Sequence, residues 1–354
     1  REIQDAIDAV DPLSRTDGLQ DTILIFPGTY DNNGDKELSF KYDDDDSPYD
    51  GQPKNIVLKS RDGAATTILD GENKRVFEIV DGTDTTLQII GFTITASSGG
   101  ESNDEYGAVI SVRGNYDWDT GVTNYTGATF RDCIIKDVIS DEVLIQTESS
   151  NFVLQNCEFR NDTIIYNNNS NNPLFGNGGV IRIGKSFSDY GASNVWIKQS
   201  RFVNNLLTTT SGPVYISGGA IFVCDNPDNY VYISNTIIAN NENYNSSDQS
   251  GYINRGGAVY ISGGEFLLNN STLVNNTLRT DFAPSESGSA IYCQDSQSEG
   301  EEIKLTIFNS IVHGNTYITN ASTNPVISNL EQFYFNNEND GVDVYASYSL
   351  FGGD

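Results

Sequence analysis

Short segments in which hydrophobic and polar residues alternate recur along most of the chain. In the segment VYISNTIIANN (231 to 241), for example, the apolar residues Val231 and Ile233 flank Tyr232. Alternation with a period of two predicts a β-strand whose successive side chains point to opposite faces. Related phrases occur at 152 to 162, 195 to 205, 266 to 276 and 305 to 315, with weaker copies at 86 to 96 and 128 to 138. The sequence therefore predicts a repeat that is built from strands.

A second short phrase, which begins with glycine, precedes several copies of the first. It reads GGVIRI at 178 to 183, GGAIFV at 218 to 223, GGAVYI at 256 to 261 and GSAIYC at 288 to 293. The centres of the strand phrases are 24 to 43 residues apart, and this spacing is too short and too poor in helix for βαβ units. A short constant unit with loops of varying length favours a parallel β-solenoid, in which each strand stacks on its equal in the next coil.

Two columns of polar residues align at fixed places in the repeat. The first contains Asp132, Asn156, Gln199, Asn235, Asn270 and Asn309, and the second contains Asp137, Asn161, Asn204, Asn240 and Asn275. Asparagine tolerates the left-handed backbone of a tight bend, and its amide can hydrogen-bond the same amide one rung away. We therefore predict that these columns are structural asparagine ladders at the bends of the coil.

The two ends of the chain differ. Residues 2 to 10 place Ile3, Ala6 and Ile7 on one face of a helix, which would cover the open edge of the first rung. We predict one β-helix domain over 1 to 354, with an amphipathic capping helix within 1 to 20 and rungs over 21 to 354. The sequence after residue 346 shows no comparable cap, so we expect the C-terminal end to be truncated, continued elsewhere or sealed by a partner.

The charge of the chain limits its partners. It has 20 Lys+Arg against 49 Asp+Glu, a net charge of -29, which repels nucleic acid and anionic lipid. No apolar stretch is long enough to span a bilayer, so we expect no membrane insertion. The acidity and the abundance of Asn, Ser and Thr favour a secreted or cell-surface location. The four cysteines lack metal-ligand spacing and are predicted to be small buried residues.

The run IQDAIDAV, then TILIFPGTY, then the repeated GGAI and N-S/T-x-h-x-x-N phrases resembles the right-handed parallel β-helix, or pectate-lyase-like, superfamily. The resemblance covers nearly the whole chain and implies a right-handed parallel β-helix, for which we expect about nine or ten rungs. The segments FNSIVHGN and VYASYSLFGG resemble the end of bacterial surface β-helix proteins with a choice-of-anchor tail, which implies attachment to the cell envelope. Such families include lyases, hydrolases, adhesins and passive spacers, so the fold leaves the function open.

The candidates for catalysis come from this resemblance. Lyases of the superfamily use Arg or Lys as a base against a uronate whose carboxylate is neutralised by calcium or a basic residue. The chain has no vWiDH-like or R-x-P-x-x-R phrase, and IRIGK (181 to 185) matches the R-I-K phrase of polygalacturonases imperfectly. Arg182 and Lys185 are therefore the weak catalytic candidates. His313 aligns with solvated positions of the repeat.

Calcium is the expected ion. Asp43, Asp44, Asp45 and Asp46 are consecutive in one loop, where like charges repel unless they are solvated or neutralised by a hard cation. A calcium site and a solvated acidic loop both remain open.

A column of aromatic residues suggests carbohydrate binding. If the Ile and Val residues of the glycine-led strands point inward, then Arg182, Phe222, Tyr260 and Tyr292 point outward, about 4.8 Å apart on adjacent rungs. Aromatic rings stack on sugars, and arginine can bind a carboxylate with two hydrogen bonds. We expect this column to bind a glycan, with Trp118 and the nearby tyrosines 106, 116 and 125 at its rim. The alternative is that loops cover these aromatics.

These observations favour a non-catalytic, secreted or cell-surface β-helix protein that acts as an adhesin, a spacer or a glycan-binding module. The expected partner is a polysaccharide or a cell-surface glycan. One alternative is a calcium-assisted lyase or hydrolase that acts on an acidic polysaccharide. Another is self-association through the C-terminal edge into a filament or surface layer.

Overall fold

A computed structural model gives the fold of the chain. It describes residues 2–10, 20–31, 37–40, 54–72, 75–80, 82–96, 109–117, 122–167, 178–184, 191–211, 216–246, 254–281, 288–294, 303–319, 326–328, 333–336 and 342–352. Within these residues, one short helix, α1 (Ile3–Asp8), precedes a long series of strands.

The strands form four large sheets. Sheet 1 contains β1 (Thr22–Ile25), β4 (Val57–Ser60), β7 (Gln88–Ile90), β12 (Thr126–Arg131), β16 (Ser150–Gln155), β20 (Asn194–Lys198), β24 (Tyr230–Ser234), β28 (Glu265–Asn269), β32 (Ile303–Phe308) and β37 (Val342–Ser347). Sheet 2 contains β2 (Gly28–Asp31), β5 (Thr67–Asp70), β8 (Thr93–Thr95), β13 (Ile134–Lys136), β17 (Glu158–Arg160), β21 (Arg201–Val203), β25 (Ile237–Ala239), β29 (Thr272–Val274), β33 (Ile311–His313) and β38 (Leu350–Gly352).

Sheet 3 contains β3 (Leu38–Ser39), β6 (Phe77–Ile79), β9 (Ile110–Arg113), β15 (Ile145–Glu148), β19 (Ile181–Ile183), β23 (Ile221–Val223), β27 (Val259–Ile261), β31 (Ile291–Gln294) and β36 (Phe333–Asn336). Sheet 4 contains β14 (Ile139–Ser140), β18 (Thr163–Asn167), β22 (Leu206–Ser211), β26 (Glu242–Asn245), β30 (Thr277–Thr280), β34 (Thr316–Thr319) and β35 (Val326–Ser328). A separate antiparallel hairpin consists of β10 (Asn115–Asp117) and β11 (Val122–Asn124).

The chain passes through the sheets in a fixed order, so that each coil returns to the sheet from which it started. From β16 in sheet 1 it runs to β17 in sheet 2, β18 in sheet 4, β19 in sheet 3 and back to β20 in sheet 1. The strands of sheets 1, 2 and 3 pair in parallel, and sheet 4 does so except at its last pair. Within the described ranges, sheets 1 and 2 each have 10 strands, which gives ten rungs. The predicted all-β, parallel β-helix architecture is confirmed.

Alternate residues of each strand point into the coil, and their side chains fill its interior. In sheet 1, Phe152, Val195 and Val231 occupy the same inward column on consecutive rungs and are fully buried. In sheet 2, the rings of Phe159 and Phe202 stack with centroids 4.7 Å apart. Stacked apolar columns of this kind supply the hydrophobic stabilisation, at about 25 cal/mol for each Å² of apolar surface buried. Cys133, Cys157, Cys224 and Cys293 are buried free thiols, as predicted.

The bends between strands use the left-handed backbone that the two polar columns predict. Residues of the first column have φ between 47° and 57°, and those of the second have φ between 55° and 59°. The side chains of both columns are exposed, however, and only a few hydrogen bonds join them. Asn156 Nδ2 donates to Asp132 Oδ1 at 2.6 Å, and Asn161 Nδ2 lies 3.4 Å from Asp137 Oδ1. The predicted columns are bend residues rather than the main asparagine ladder.

The main ladder lies one residue after the second column and is buried. We call it the buried ladder; its members are Asp162, Asn205, Asn241, Asn276 and Asn315. The Oδ1 atom of each asparagine accepts from the backbone N–H of the preceding member, as in Asn205 N to Asn241 Oδ1 at 3.1 Å. The Nδ2 atom of Asn241 donates to the carbonyl of Phe202 at 3.0 Å and to Asn276 Oδ1 at 2.9 Å. The asparagines thus satisfy backbone groups that the bend leaves without strand partners.

A second hydrogen-bonded column lies at the corner between sheets 1 and 2. The backbone N–H of Ser200 donates to Thr236 Oγ1, that of Thr236 to Ser271 Oγ, and that of Ser271 to Ser310 Oγ. Each hydroxyl also donates to the carbonyl two residues before it, as Thr236 Oγ1 does to Ser234 O at 2.9 Å. The residues at this corner are therefore small and carry a hydroxyl group that hydrogen-bonds the backbone of the same rung and of the preceding rung.

The first rung is covered by α1, which confirms the predicted capping helix. Ile3 and Ile7 of α1 are buried in the main hydrophobic core. Lys54 Nζ donates to the carbonyl oxygens of Ile7 and Asp8 at 3.0 and 3.2 Å, which places a cation at the C-terminal end of α1. Among the described residues, no helix is long and apolar enough to cross a bilayer.

Candidate functional site

The predicted aromatic column lies on the outer side of sheet 3, in register. Arg182 pairs with Phe222, Phe222 with Tyr260, and Tyr260 with Tyr292 on successive rungs. The rings of Phe222 and Tyr260 stack with centroids 4.8 Å apart, and those of Tyr260 and Tyr292 with centroids 5.6 Å apart. The interplanar angle is 12° for both pairs. The stacking that the alternation predicts is therefore present.

The predicted exposure of this column is wrong. Phe222 is 4% exposed, Tyr260 is 7% exposed and Tyr292 is fully buried. Together with Cys224 they form a second hydrophobic cluster, separate from the core of the coil. Tyr260 Oη donates to Gln294 Oε1 at 2.8 Å, and burial raises the pKa of Tyr260 to about 12. These rings pack as an extra internal layer, so they do not offer their faces to a sugar in this structure.

Arg182 stands at the end of this cluster. Its Nε donates to Cys224 Sγ at 3.3 Å, and its guanidinium carbon lies 5.9 Å from the centre of the Phe222 ring. No carboxylate of the described residues forms an ion pair with it. Arg182 is therefore held by the thiol of Cys224 and the ring of Phe222. Its expected roles as a catalytic base or a glycan contact stay predictions.

Several expected site residues fall outside the described residues. They are Lys185, Trp118 and the four aspartates Asp43, Asp44, Asp45 and Asp46, with the rim residue Tyr106. Tyr125 is exposed. In the part of the chain that the structure describes, no three His, Cys, Asp or Glu side chains are arranged to hold a metal ion. Calcium binding by the aspartate loop therefore stays a prediction.

An ion-pair network that the sequence analysis missed lies at the N-terminal end of sheet 3. Arg75 Nη1 lies 3.2 Å from Glu37 Oε2 and 3.4 Å from Glu78 Oε1, and Arg113 Nη2 lies 2.6 Å from the same Glu78 oxygen. Burial raises the pKa of Glu37, an effect larger than the opposing attraction of Arg75. The ion pairs connect residues of neighbouring rungs, and both carboxylates already have arginine partners. No sequence repeat marks it, because its members lie on segments of different type.

Solvent-accessible aromatic side chains lie instead on the outer side of sheet 1. We call Trp196, Tyr230 and Tyr232 the aromatic face. Trp196 of β20 pairs with Tyr232 of β24, and the Trp196 and Tyr230 rings have centroids 6.3 Å apart at 54°. All three side chains are partly exposed. The face follows from the alternation itself, since the inward residues of the same strands are apolar and buried.

Polar groups surround the aromatic face. Asn194 Nδ2 donates to Asn151 Oδ1 at 3.0 Å, and Asn269 Nδ2 donates to Tyr232 Oη at 3.2 Å. Burial, followed by the negative charge of Glu265, raises the pKa of Tyr230. The tyrosine hydroxyl can both donate and accept a hydrogen bond. Rings bordered by amides and hydroxyls can stack on the apolar face of a sugar while hydrogen-bonding its hydroxyl groups.

Comparisons with known proteins add little to this picture. No protein-family model matches the sequence, and no curated protein matches it. One of the solved structures to which the chain is similar is PfbA, a surface adhesin of Streptococcus pneumoniae. The similarity covers 99% of this chain and 88% of that chain, at 13% sequence identity and a TM-score of 0.26. A TM-score this low does not establish a shared fold, so the fold assignment depends on the strand pairing described above.

The aromatic face could have been found from the sequence. The phrases VWIKQS and VYISNT place Trp196 and Tyr232 at the same outward position of consecutive copies. The glycine-led phrases of sheet 3 contain a longer run of aromatic residues at one outward position. Alternation alone gives the direction of a side chain relative to its sheet, whereas exposure also depends on what covers that sheet.

Proposed function

We propose that the protein is a non-catalytic, extracellular β-helix module that binds glycans through the aromatic face of sheet 1, in the manner of an adhesin. The observation that carries the proposal is the placement of Trp196, Tyr230 and Tyr232 as partly exposed neighbours on two adjacent rungs. Tryptophan and tyrosine are enriched among the residues that contribute most to binding at protein interfaces.

The scaffold supports this role. Both strands of the aromatic face are central in a sheet of 10 parallel strands, so their backbones are hydrogen-bonded on both sides. Rigid backbones hold rings in place before a ligand arrives, which lowers the entropy cost of binding. Equivalent rings on adjacent rungs are about 4.8 Å apart, so a ligand can contact two of them at once.

The charge of the chain supports a glycan over other stacking ligands. Nucleic-acid bases also stack on aromatic rings, but phosphate backbones are bound through Lys and Arg. The net charge of -29 opposes such binding. A glycan has apolar ring faces and hydroxyl groups that suit rings bordered by amides.

The test is binding of the purified chain to an array of neutral and acidic polysaccharides, followed by calorimetry on any that bind. We expect Trp196→Ala and Tyr232→Ala each to weaken binding about fivefold, since stacking on one aromatic ring contributes on the order of 1 kcal/mol. Tyr244→Ala is the matched control, because Tyr244 is an outward, partly exposed tyrosine on sheet 4.

Two results would contradict the proposal. One is the absence of binding to every polysaccharide of the array by a folded sample. The other is binding that Tyr244→Ala weakens as much as Trp196→Ala does. Assay of the same array for new reducing ends separates binding from cleavage, because hydrolysis and elimination both release them. Cleavage would favour the lyase or hydrolase alternative and direct mutagenesis to Arg182 and Lys185.

A further inference from the structure

Basic side chains gather beside the aromatic face, although the chain as a whole is strongly acidic. Five of them lie on three consecutive rungs: three flank the bend between sheets 1 and 2, and the other two are the last residues of sheet 2 strands. We call this group the cationic corner; its members are Arg131, Lys136, Arg160, Lys198 and Arg201. The same stretches of chain carry three exposed or partly exposed acids: Asp132, Asp137 and Glu158. The corner therefore has a local excess of positive charge in a chain with 20 basic and 49 acidic residues.

Much of this positive charge is not neutralised by ion pairs. Arg131 lies 3.6 Å from Asp132 and Lys136 lies 3.2 Å from Asp137. Such exposed pairs between neighbours in sequence are weak. The other three members, Arg160, Lys198 and Arg201, form no ion pair with any described residue. The Nε of Arg160 is buried and has no hydrogen-bond partner.

The cationic corner is continuous with the aromatic face. Trp196 and Lys198 lie two positions apart on β20, so both side chains point outward and are about 6.6 Å apart along the strand. Arg201 is exposed and follows directly after the bend that begins at Gln199, whose φ is 53°. Lys198 and Arg201 thus lie at one side of a ligand that stacks on the Trp196 ring.

We propose that the aromatic face and the cationic corner together bind an anionic glycan, a polysaccharide whose sugars carry carboxylate or sulfate groups. The proposal rests on the proposed function and names the class of its ligand. Rings hold the apolar face of a sugar, and Lys198 and Arg201 hold an anionic substituent at its edge. The net charge of -29 repels polyanions from the rest of the surface, so the cationic corner confines such a ligand to one place.

The experiment compares polysaccharides that differ only in charge. The probes are dextran sulfate and carboxymethyl dextran against dextran, chondroitin sulfate against chondroitin, and polygalacturonate against its methyl ester. Binding is measured at low and high salt for the unmodified chain and for the double variant Lys198→Ala/Arg201→Ala. We expect at least one charged probe to bind more tightly than its less charged partner, with a preference that falls as salt rises. The sulfate and carboxylate arms identify the group that is bound.

The double variant is expected to lose this preference, with binding to the charged probe about tenfold weaker or more. Lys59→Ala is the matched control, because Lys59 is an exposed lysine in the same column as Lys198, four rungs or about 19 Å away. It should bind as the unmodified chain does.

The proposal is overturned if no charged probe is preferred, or if the double variant keeps the preference. Trp196→Ala distinguishes these failures from failure of the proposed function. If neutral polysaccharides bind and lose binding in Trp196→Ala alone, the aromatic face binds glycans and only the anionic class is wrong. If no probe binds, both proposals fail. A dimer that the double variant dissociates, without any preference among the probes, would mean that the corner binds the acidic surface of a second copy.

Discussion

The backbone N–H of Asp162 donates to Oδ1 of Asn205 at 3.1 Å, so an acid occupies a position that every later rung of the buried ladder gives to asparagine. Asp162 Oδ1 accepts from the N–H of Val138 at 3.0 Å, as the asparagines do from their own predecessors. Its Oδ2 atom is buried and has no partner as an acceptor. The corresponding Nδ2 of Asn205 donates to the carbonyl of Phe159 at 3.2 Å. A protonated Asp162 would reproduce that donor.

This position makes the stability of the protein depend on pH. Burial raises the pKa of Asp162 to about 8, whereas an unfolded chain has an aspartate pKa of about 3.9. The neutral form is the one that the folded state favours, so the stability that Asp162 contributes is fully present below about pH 4 and is lost as pH rises to about 8. We predict that Asp162→Asn is more stable than the unmodified chain at pH 7, by a margin that grows by about 1.4 kcal/mol for each pH unit between 4 and 8.

Urea unfolding at a series of pH values measures this margin. Comparison with the Asn variant cancels the contributions of the other titrating groups. Asn241→Asp is the reciprocal change and should introduce the same loss of stability with rising pH at a second rung. A margin that does not vary with pH would show that Asp162 is ionised in the folded protein.

The buried ladder and the bend columns should respond differently to substitution. Asn241→Ala removes four hydrogen bonds, two accepted by Oδ1 and two donated by Nδ2, and leaves buried backbone groups without partners. We expect a loss of about 3 kcal/mol in the free energy of unfolding. Asn235 is exposed and has a φ of 50°, so Asn235→Gly keeps the bend and should change stability by less than about 0.5 kcal/mol. Equal losses in the two variants would contradict this assignment.

The sequence predicted the bends correctly but placed the ladder one residue too early. In the pairs Asn204–Asn205, Asn240–Asn241 and Asn275–Asn276, both residues are asparagine, and each column looks equally regular. The first residue of each pair takes the left-handed backbone, which directs its side chain to solvent, and the second turns inward. Composition cannot separate these roles, because both depend on the path of the backbone through the bend.

The strands, the coil and the capping helix could be predicted because each depends on a local pattern that recurs. The burial of the sheet 3 aromatics and the ion-pair network could not, because they depend on neighbours from different rungs. Gln294, for instance, receives the hydroxyl of Tyr260 from a strand 34 residues earlier. The closeness of Glu37, Arg75 and Arg113 likewise follows only from the stacking of three rungs.

Calcium binding by the aspartate loop can be tested by melting temperature. If Asp43 to Asp46 hold a calcium ion, millimolar calcium should raise the melting temperature of the unmodified chain, because a ligand that binds only the folded state stabilises it. Asp44→Asn/Asp45→Asn should remove that gain, since carboxylates are the ligands that calcium prefers. Magnesium at the same concentration controls for general charge screening. A gain from calcium that persists in the double variant would place the ion elsewhere.

The sheet 3 cluster and the aromatic face should differ in their contributions to stability and to glycan binding, since the first is buried and the second is partly exposed. Tyr292 is fully buried; its ring stacks on that of Tyr260, and the guanidinium carbon of Arg255 lies 5.2 Å from its centre. Tyr292→Ala leaves a cavity in the sheet 3 cluster, and we expect it to lower the free energy of unfolding by about 3 to 5 kcal/mol. Tyr232 of the aromatic face is partly exposed, so Tyr232→Ala should lower it by about 1 kcal/mol or less while weakening glycan binding. Urea unfolding and calorimetry on the same samples separate the two effects. A glycan affinity that falls in a still-folded Tyr292→Ala variant and not in Tyr232→Ala would move the binding site from sheet 1 to sheet 3.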